Sequence, residues 1–272
     1  MDHEKEVDSI VGKQKITTAG ELVLLAMLIA LCVLFNEICA HTLPLHAGTA
    51  LVIIAGITLG PKAGMIVGSL SRLVCNIFDG QGPWTIWQMV AWGLLGVLAG
   101  VAFYKVERRK NWEKITVKKQ ISVKRSSVLE QLLAPVAGVL FLWLIAYLYC
   151  LLALDGEGFV GWRMYAYGFS GLVIGFIIQR KKLSVDSWTM AFFTFFTVFL
   201  VYGGIMNFAT LFLNAMSHPS DCRIDVETLK LLYVSGVPYD LTHAGGAAIC
   251  IFFFGDMIVQ KIVRIQKKFG WK

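Results

Sequence analysis

Charged side chains are scarce: Asp, Glu, Lys and Arg make up 16% of the 272 residues, against about 25% in soluble domains, while hydrophobic residues reach 57%. That shortage excludes the one or two soluble domains that length alone would suggest. A basic face interleaved with aromatics is missing as well, so the net charge of +7 does not point to nucleic acid. The six cysteines form no C-x-x-C pair. Five of them (Cys32, Cys39, Cys75, Cys150, Cys250) lie in apolar runs, where cysteine behaves as a small buried hydrophobe. Cys222 alone sits in a polar loop, so a disulfide framework is not expected. There is no Gly-x-x-x-x-Gly-Lys-Ser/Thr, and any dependence on ATP must be borrowed from another chain. His41, His46 and His243 have no spacing that suits a tight metal site, so neither metal nor cofactor is expected.

What the sequence has instead is long apolar runs. A helix needs about 20 such residues to cross the hydrocarbon. On that measure spans are expected near 20–40, 46–60, 62–78, 86–104, 128–154, 162–179, 186–214 and 241–260. The fold class is therefore all-α, a polytopic transmembrane bundle of about eight spans. The second and third spans are short and separated only by Gly60-Pro61-Lys62, which predicts a tight helical hairpin. The first run is too long for a signal h-region and reads as a retained span. The layout is then a cytoplasmic segment 1–19, one transmembrane domain over 20–265 and a tail 266–272.

The basic residues assign the sides. Three Lys lie in the head, Lys62 in the hairpin turn, nine Lys or Arg between Lys105 and Arg125, three at Arg180–Lys182 and five from Lys261 onward. Only Arg72, Arg163, Arg223 and Lys230 fall elsewhere, and the opposite loops 41–45, 79–85 and 155–161 have none. This positive-inside bias predicts a cytoplasmic N-terminus and C-terminus. The long inner loop 105–127 is either a solvated topology signal or a surface for anionic lipid or an acidic partner.

A repeat is visible. Trp87-Gln-Met-Val-Ala-Trp-Gly-Leu-Leu-Gly-Val-Leu-Ala-Gly100 and Trp162-Arg-Met-Tyr-Ala-Tyr-Gly-Phe-Ser-Gly-Leu-Val-Ile-Gly175 share Trp, Met, Ala and three Gly. Upstream, Pro61-x-Ala-Gly64 pairs with Pro135-x-Ala-Gly138, and Asp79-Gly-Gln-Gly82 with Asp155-Gly-Glu-Gly158. Segment 128–179 thus reads as a parallel repeat of 61–104, or as chance likeness between Gly-rich helices. Gly93, Gly96 and Gly100 form a smooth stripe against which another backbone can pack.

Polar groups within spans are costly and are the first candidates for function. Mapped on the expected topology they gather at the outer ends: Asn36, Glu37, His41 and His46; Arg72, Asn76 and Asp79; Trp84, Trp87, Gln88 and Trp92; Asn207 and Asn214; Tyr239, Asp240 and His243. Rings for stacking beside fixed donors and acceptors suit a flat organic molecule with polar edges. The alternatives are an interfacial aromatic belt, for Trp84 above all, and a structural ion pair of Arg72 with Glu37 or Asp79.

The stretch Gly64-x-x-x-Gly68-Ser-Leu-Ser, followed by Gly80-Gln-Gly-Pro-Trp-Thr-Ile-Trp-Gln-Met-Val-Ala-Trp-Gly, resembles the substrate-binding (S) components of energy-coupling factor (ECF) vitamin transporters. Ala26-x-x-x-Ala30 in the first span matches the motif by which that family docks its transmembrane coupling subunit, and Tyr239-Asp-Leu-Thr-His-Ala-Gly-Gly246 is like its final helix. The likeness covers about 20–104 and 186–260. It departs in span number: the family typically has six, so the pair 128–179 stands as an addition to a six-span core. The resemblance implies a subunit of the bacterial cell membrane that binds a vitamin or related micronutrient from outside. It also implies partners, a transmembrane coupling subunit and cytoplasmic ATPases, that reorient the loaded subunit. The substrate would meet Asn36, Glu37, Arg72, Asn76, Trp84, Trp87, Gln88, Trp92, Asn207, Tyr239, Asp240 and His243, and Ala26 and Ala30 would dock the partner.

Two other classes fit some residues. Gly168-Phe-Ser-Gly171 with His243 is superficially like the serine–histidine pair of rhomboid proteases, which makes Ser170 a candidate nucleophile. A stand-alone secondary transporter would want an acid at the midplane, whereas Glu21, Glu37 and Asp256 lie near span ends.

Overall fold

The computed structural model describes residues 19–42, 46–104, 125–153, 158–179, 182–217 and 225–268. The N-terminal head up to residue 18, most of the basic loop 105–127, Cys222 and the end of the tail lie outside the described residues. The described residues form an all-helical bundle of eight helices: α1 (Ala19–Thr42), α2 (Ala47–Leu59), α3 (Pro61–Asp79), α4 (Trp84–Phe103), α5 (Arg125–Ala153), α6 (Trp162–Gln179), α7 (Ser187–Ser217) and α8 (226–268). By length and composition α1, α4, α5, α7 and α8 can each cross a membrane. The expected polytopic helix bundle is what the chain forms.

Helix α2 explains why the second span looked short. Its 13 residues are apolar on every side because protein surrounds it: Gly48 to Thr58 are all buried, against α1, α3, α4 and α8. Gly60 then turns the chain at φ 96°, a value that favours glycine, and Pro61 starts α3 at a position where its missing N–H costs nothing. The ring of Tyr104 covers this turn.

The glycine stripe of α4 meets the backbone of α3. A Cβ on Gly96 would lie 2.2 Å from the carbonyl oxygen of Gly64, and one on Gly100 would lie 2.4 Å from the nitrogen of Pro61. The α5/α6 hairpin closes in the same way: a Cβ on Gly171 would lie 2.4 Å from the Gly138 carbonyl oxygen, and one on Gly175 the same distance from the Cα of Pro135. These are the positions that the repeat puts in register. The two hairpins reach α7 through α4 and α6.

One boundary needs correcting. The last helix begins at Val226, not near 241, and continues to Lys268, past the expected end of the transmembrane domain. Asp225 caps it by accepting a hydrogen bond from the Thr228 amide at 2.8 Å, and Pro238 is held within the helix interior. Both α7 and α8 contain one wider π turn, at Val198–Tyr202 and Ile251–Gly255.

Candidate functional site

The α3/α4 hairpin assembles the first polar group from side chains that face each other across its turn. Arg72 donates through Nε to Gln88 Oε1 at 2.9 Å and through a terminal nitrogen to Asp79 at 3.3 Å. Asn76, fully buried, donates to the same Gln88 oxygen at 2.8 Å and to Thr85 Oγ1 at 3.0 Å. The Arg72 guanidinium lies 5.6 Å from the ring centre of buried Trp92. Of its two expected acidic partners, Asp79 is the one that pairs. Around Gly48, whose Cβ would lie 3.1 Å from the Trp92 ring and 3.2 Å from the Cβ of Asn36, α1 and α4 close on the start of α2.

A second group surrounds His243 of α8. Its Nε2 is 3.0 Å from Thr49 Oγ1, and its ring lies 3.9 Å from that of His46 and 4.5 Å, edge-on, from that of Tyr202. Tyr239 stands edge-on to both histidines at about 6 Å. Three atoms of these two groups are buried with no hydrogen-bond partner among the described residues: Asn76 Oδ1, Trp92 Nε1 and His243 Nδ1. A buried polar atom without a partner is costly, of the order of 1–3 kcal/mol, and needs a reason to be kept.

The third group is self-contained. The Asp240 carboxylate is buried and accepts from Tyr165 of α6 at 2.5 Å and from Asn207 of α7 at 2.7 Å. Neighbouring Gly203 and Gly236 leave the space it needs, since a Cβ there would fall within 2.6 Å of Asp240 and 2.2 Å of Asn207. One carboxylate therefore ties the second hairpin to the last two helices. Replacing Tyr165 with Phe leaves the carboxylate one donor short, so the chain should lose about 1–3 kcal/mol of stability. Denaturation of the purified protein in detergent measures this. A transition at the wild-type position would show that the bond contributes nothing.

The expected site residues thus divide. Arg72, Asn76, Gln88 and Trp92 converge; His243 and Tyr239 adjoin His46; Asn207 and Asp240 bind each other. Asn36 donates to Glu37 beside the first group at 3.3 Å. Trp87 forms an aromatic wall with Phe208 and Phe212. Trp84 folds over Gly82 at the exposed turn and joins none of these groups. Ser170 does not pair with His243: it is exposed and donates to the Ala166 carbonyl on its own helix at 2.8 Å. Thr49, Thr85, Tyr165 and Tyr202 were not anticipated. Tyr202 and Thr49 lie in apolar runs and carry no local signal, whereas Thr85 falls in the same turn as the expected residues.

Residues 16–151, half of the chain, match the model of a family described as ECF-type riboflavin transporter, S component. No curated protein and no solved structure matches. The matched stretch holds α1 to α4 and takes in most of α5, so the pair read as additional to a six-span core does not lie wholly beyond it. The likeness read over 186–260 does lie beyond it.

Proposed function

The chain belongs to the S components of ECF-type riboflavin transporters, membrane-embedded substrate-binding subunits rather than enzymes, and from that premise we propose that it captures riboflavin between the Arg72 and His243 groups. Riboflavin is a flat three-ring molecule with an imide edge, two carbonyls flanking an N–H, and a polyhydroxylated chain. Trp87 and Tyr239 offer aromatic surface to its rings. The indole N–H of Trp92 is a donor for a carbonyl, Asn76 Oδ1 an acceptor for the imide N–H, and His243 Nδ1 a third polar contact. The observation that carries this reading is that these three buried atoms have no partner among the described residues.

Trp92→Phe tests it, because it removes the donor and keeps a ring. Losing the unpartnered N–H relieves a cost that the smaller buried ring partly offsets through lost packing, so the ligand-free protein should stay within about 2 kcal/mol of wild type, while riboflavin binds about tenfold more weakly. Quenching of flavin fluorescence on titration gives the affinity. Equal affinity for both proteins would remove Trp92 Nε1 from the site.

The remaining steps follow from the partners this family name implies. Ala26 and Ala30 lie on an exposed face of α1 with Val23, Met27 and Leu31, where a coupling subunit could pack. The ATPases would sit below, on the side of the basic segments, with both termini cytoplasmic and the polar mouth outside.

A further inference from the structure

Arg72 fixes the orientation of two amides in turn. Its Nε–H can only donate, so the Gln88 atom that it meets is the oxygen. That oxygen accepts from Asn76 as well, which makes the facing Asn76 atom the nitrogen. Both hydrogens of this nitrogen are then used, on Gln88 and on Thr85, and Asn76 Oδ1 is left as an acceptor with no partner among the described residues. Trp92 Nε1 can only donate. Two of the three unpartnered atoms therefore have set roles. The third does not: a neutral imidazole has one N–H and one lone pair, and either can stand on His243 Nδ1.

Thr49 decides between them. Thr58, Thr194, Thr197 and Thr210 each donate to the carbonyl four residues back on their own helix. Thr49 is the third residue of α2, so its helix offers no carbonyl behind it, and among the described residues its one side-chain partner is His243 Nε2, at 3.0 Å. Both side chains are buried. With the proton on Nε2, the Thr49 hydrogen and the Nδ1 lone pair would both go unmet. With the hydroxyl donating to Nε2, only the Nδ1–H does. The second arrangement leaves fewer buried groups unpaired. His46 and Tyr202, whose ring centres lie 3.9 and 4.5 Å from that of His243, hold its plane.

On the reading that riboflavin lies between the Arg72 and His243 groups, we infer that Thr49 is a positioning residue that sets specificity by keeping the His243 proton on Nδ1. The three atoms then offer two donors, on Trp92 and His243, and one acceptor, on Asn76. A flavin imide is the complement, two carbonyls and an N–H. A pterin is also a flat fused ring, but an amino group stands where the imide has its second carbonyl, and two donors would face each other. A site built to hydrogen-bond one edge rejects the other, because buried partners go unpaired. Were the proton on Nε2, Nδ1 would accept and the pterin edge would fit instead.

Nuclear magnetic resonance of the purified, ligand-free full chain, labelled with nitrogen-15 histidine and held at about pH 8, above the ordinary histidine range, reports the tautomer. Protonated and bare ring nitrogens have well-separated shifts, and the signal lost in His243→Gln belongs to His243. The Nδ1–H form is expected in wild type and in Thr49→Ser, and a mixture of both forms in Thr49→Val. Fluorescence titrations with riboflavin and with biopterin give the ratio of affinities, which Thr49→Val should narrow about tenfold and Thr49→Ser should preserve. An Nε2–H signal from a wild-type chain that binds riboflavin overturns the inference alone, and needs no variant to fold. A folded Thr49→Val protein with the wild-type ratio overturns it too. A wild-type chain that does not bind riboflavin overturns the reading of the site, and the inference with it.

Discussion

A single methyl group placed on Gly96 is expected to cost about 3 kcal/mol, the upper end of the usual range for overpacking. Gly96 lies where three backbones meet. Its own Cβ would stand 2.2 Å from the Gly64 carbonyl oxygen of α3, and a Cβ on Gly56 of α2 would stand 2.2 Å from the Gly96 carbonyl oxygen. No side chain is available to give way, so the added carbon must push α3 and α4 away from each other along the hairpin. Gly245→Ala is the control: nothing lies within 4 Å of its added Cβ, and alanine favours the helix by about 0.5–1 kcal/mol. The two variants, compared by yield of monodisperse protein and by thermal denaturation, should differ sharply. A Gly96→Ala protein as stable as the Gly245→Ala protein would mean that the two helices do not approach so closely.

Ala30→Phe is expected to reduce riboflavin uptake to background while leaving affinity for the vitamin within about twofold, since a purely local surface change has little effect on stability. Ala26 and Ala30 are one helical turn apart on the exposed face of α1. They are apart from the polar groups at the mouth, whereas Asn36 lies further along the helix, against Gly48 at the start of α2. Small residues let a second helix approach until backbones touch, and a phenyl ring holds it off. Uptake into cells supplied with the coupling module, measured beside flavin binding by the purified variant, separates the two steps. Uptake at the wild-type rate would show that the partner packs elsewhere. Loss of both would place the residue in the fold rather than the docking face.

The contrast between what could and could not be read from the sequence is sharpest in α8. The other helix ends fall within about three residues of the apolar runs, because a turn glycine, a proline or a cluster of charges closes each run. In α8, Glu227, Lys230, Pro238 and Asp240 interrupt the run, and hydropathy starts the span too late. The cap at Asp225 was the available signal. Within the site, Arg72, Asn76 and Gln88 converge as expected because one tight hairpin brings them together. Asp240 and Asn207 were read as facing a ligand, yet each is the other's partner. Sequence shows that a buried polar group needs a partner, not which chain segment supplies it. Thr49 and His243 meet across 194 residues of separation, which no local pattern can report.

The brevity of α2 has a geometric consequence for the mouth. From their shared turn, α2 rises for 13 residues and α3 for 19, so α3 stands about 9 Å taller at 1.5 Å per residue. That difference sets a shelf, at the level of His46 and Thr49, with the walls of the taller helices continuing above it. On the proposed reading, the depth to which a guest can sink is then set by helix length as well as by the side chains that meet it. Adding one turn to α2 would lift the shelf by about 5.4 Å and leave a molecule perched at the rim.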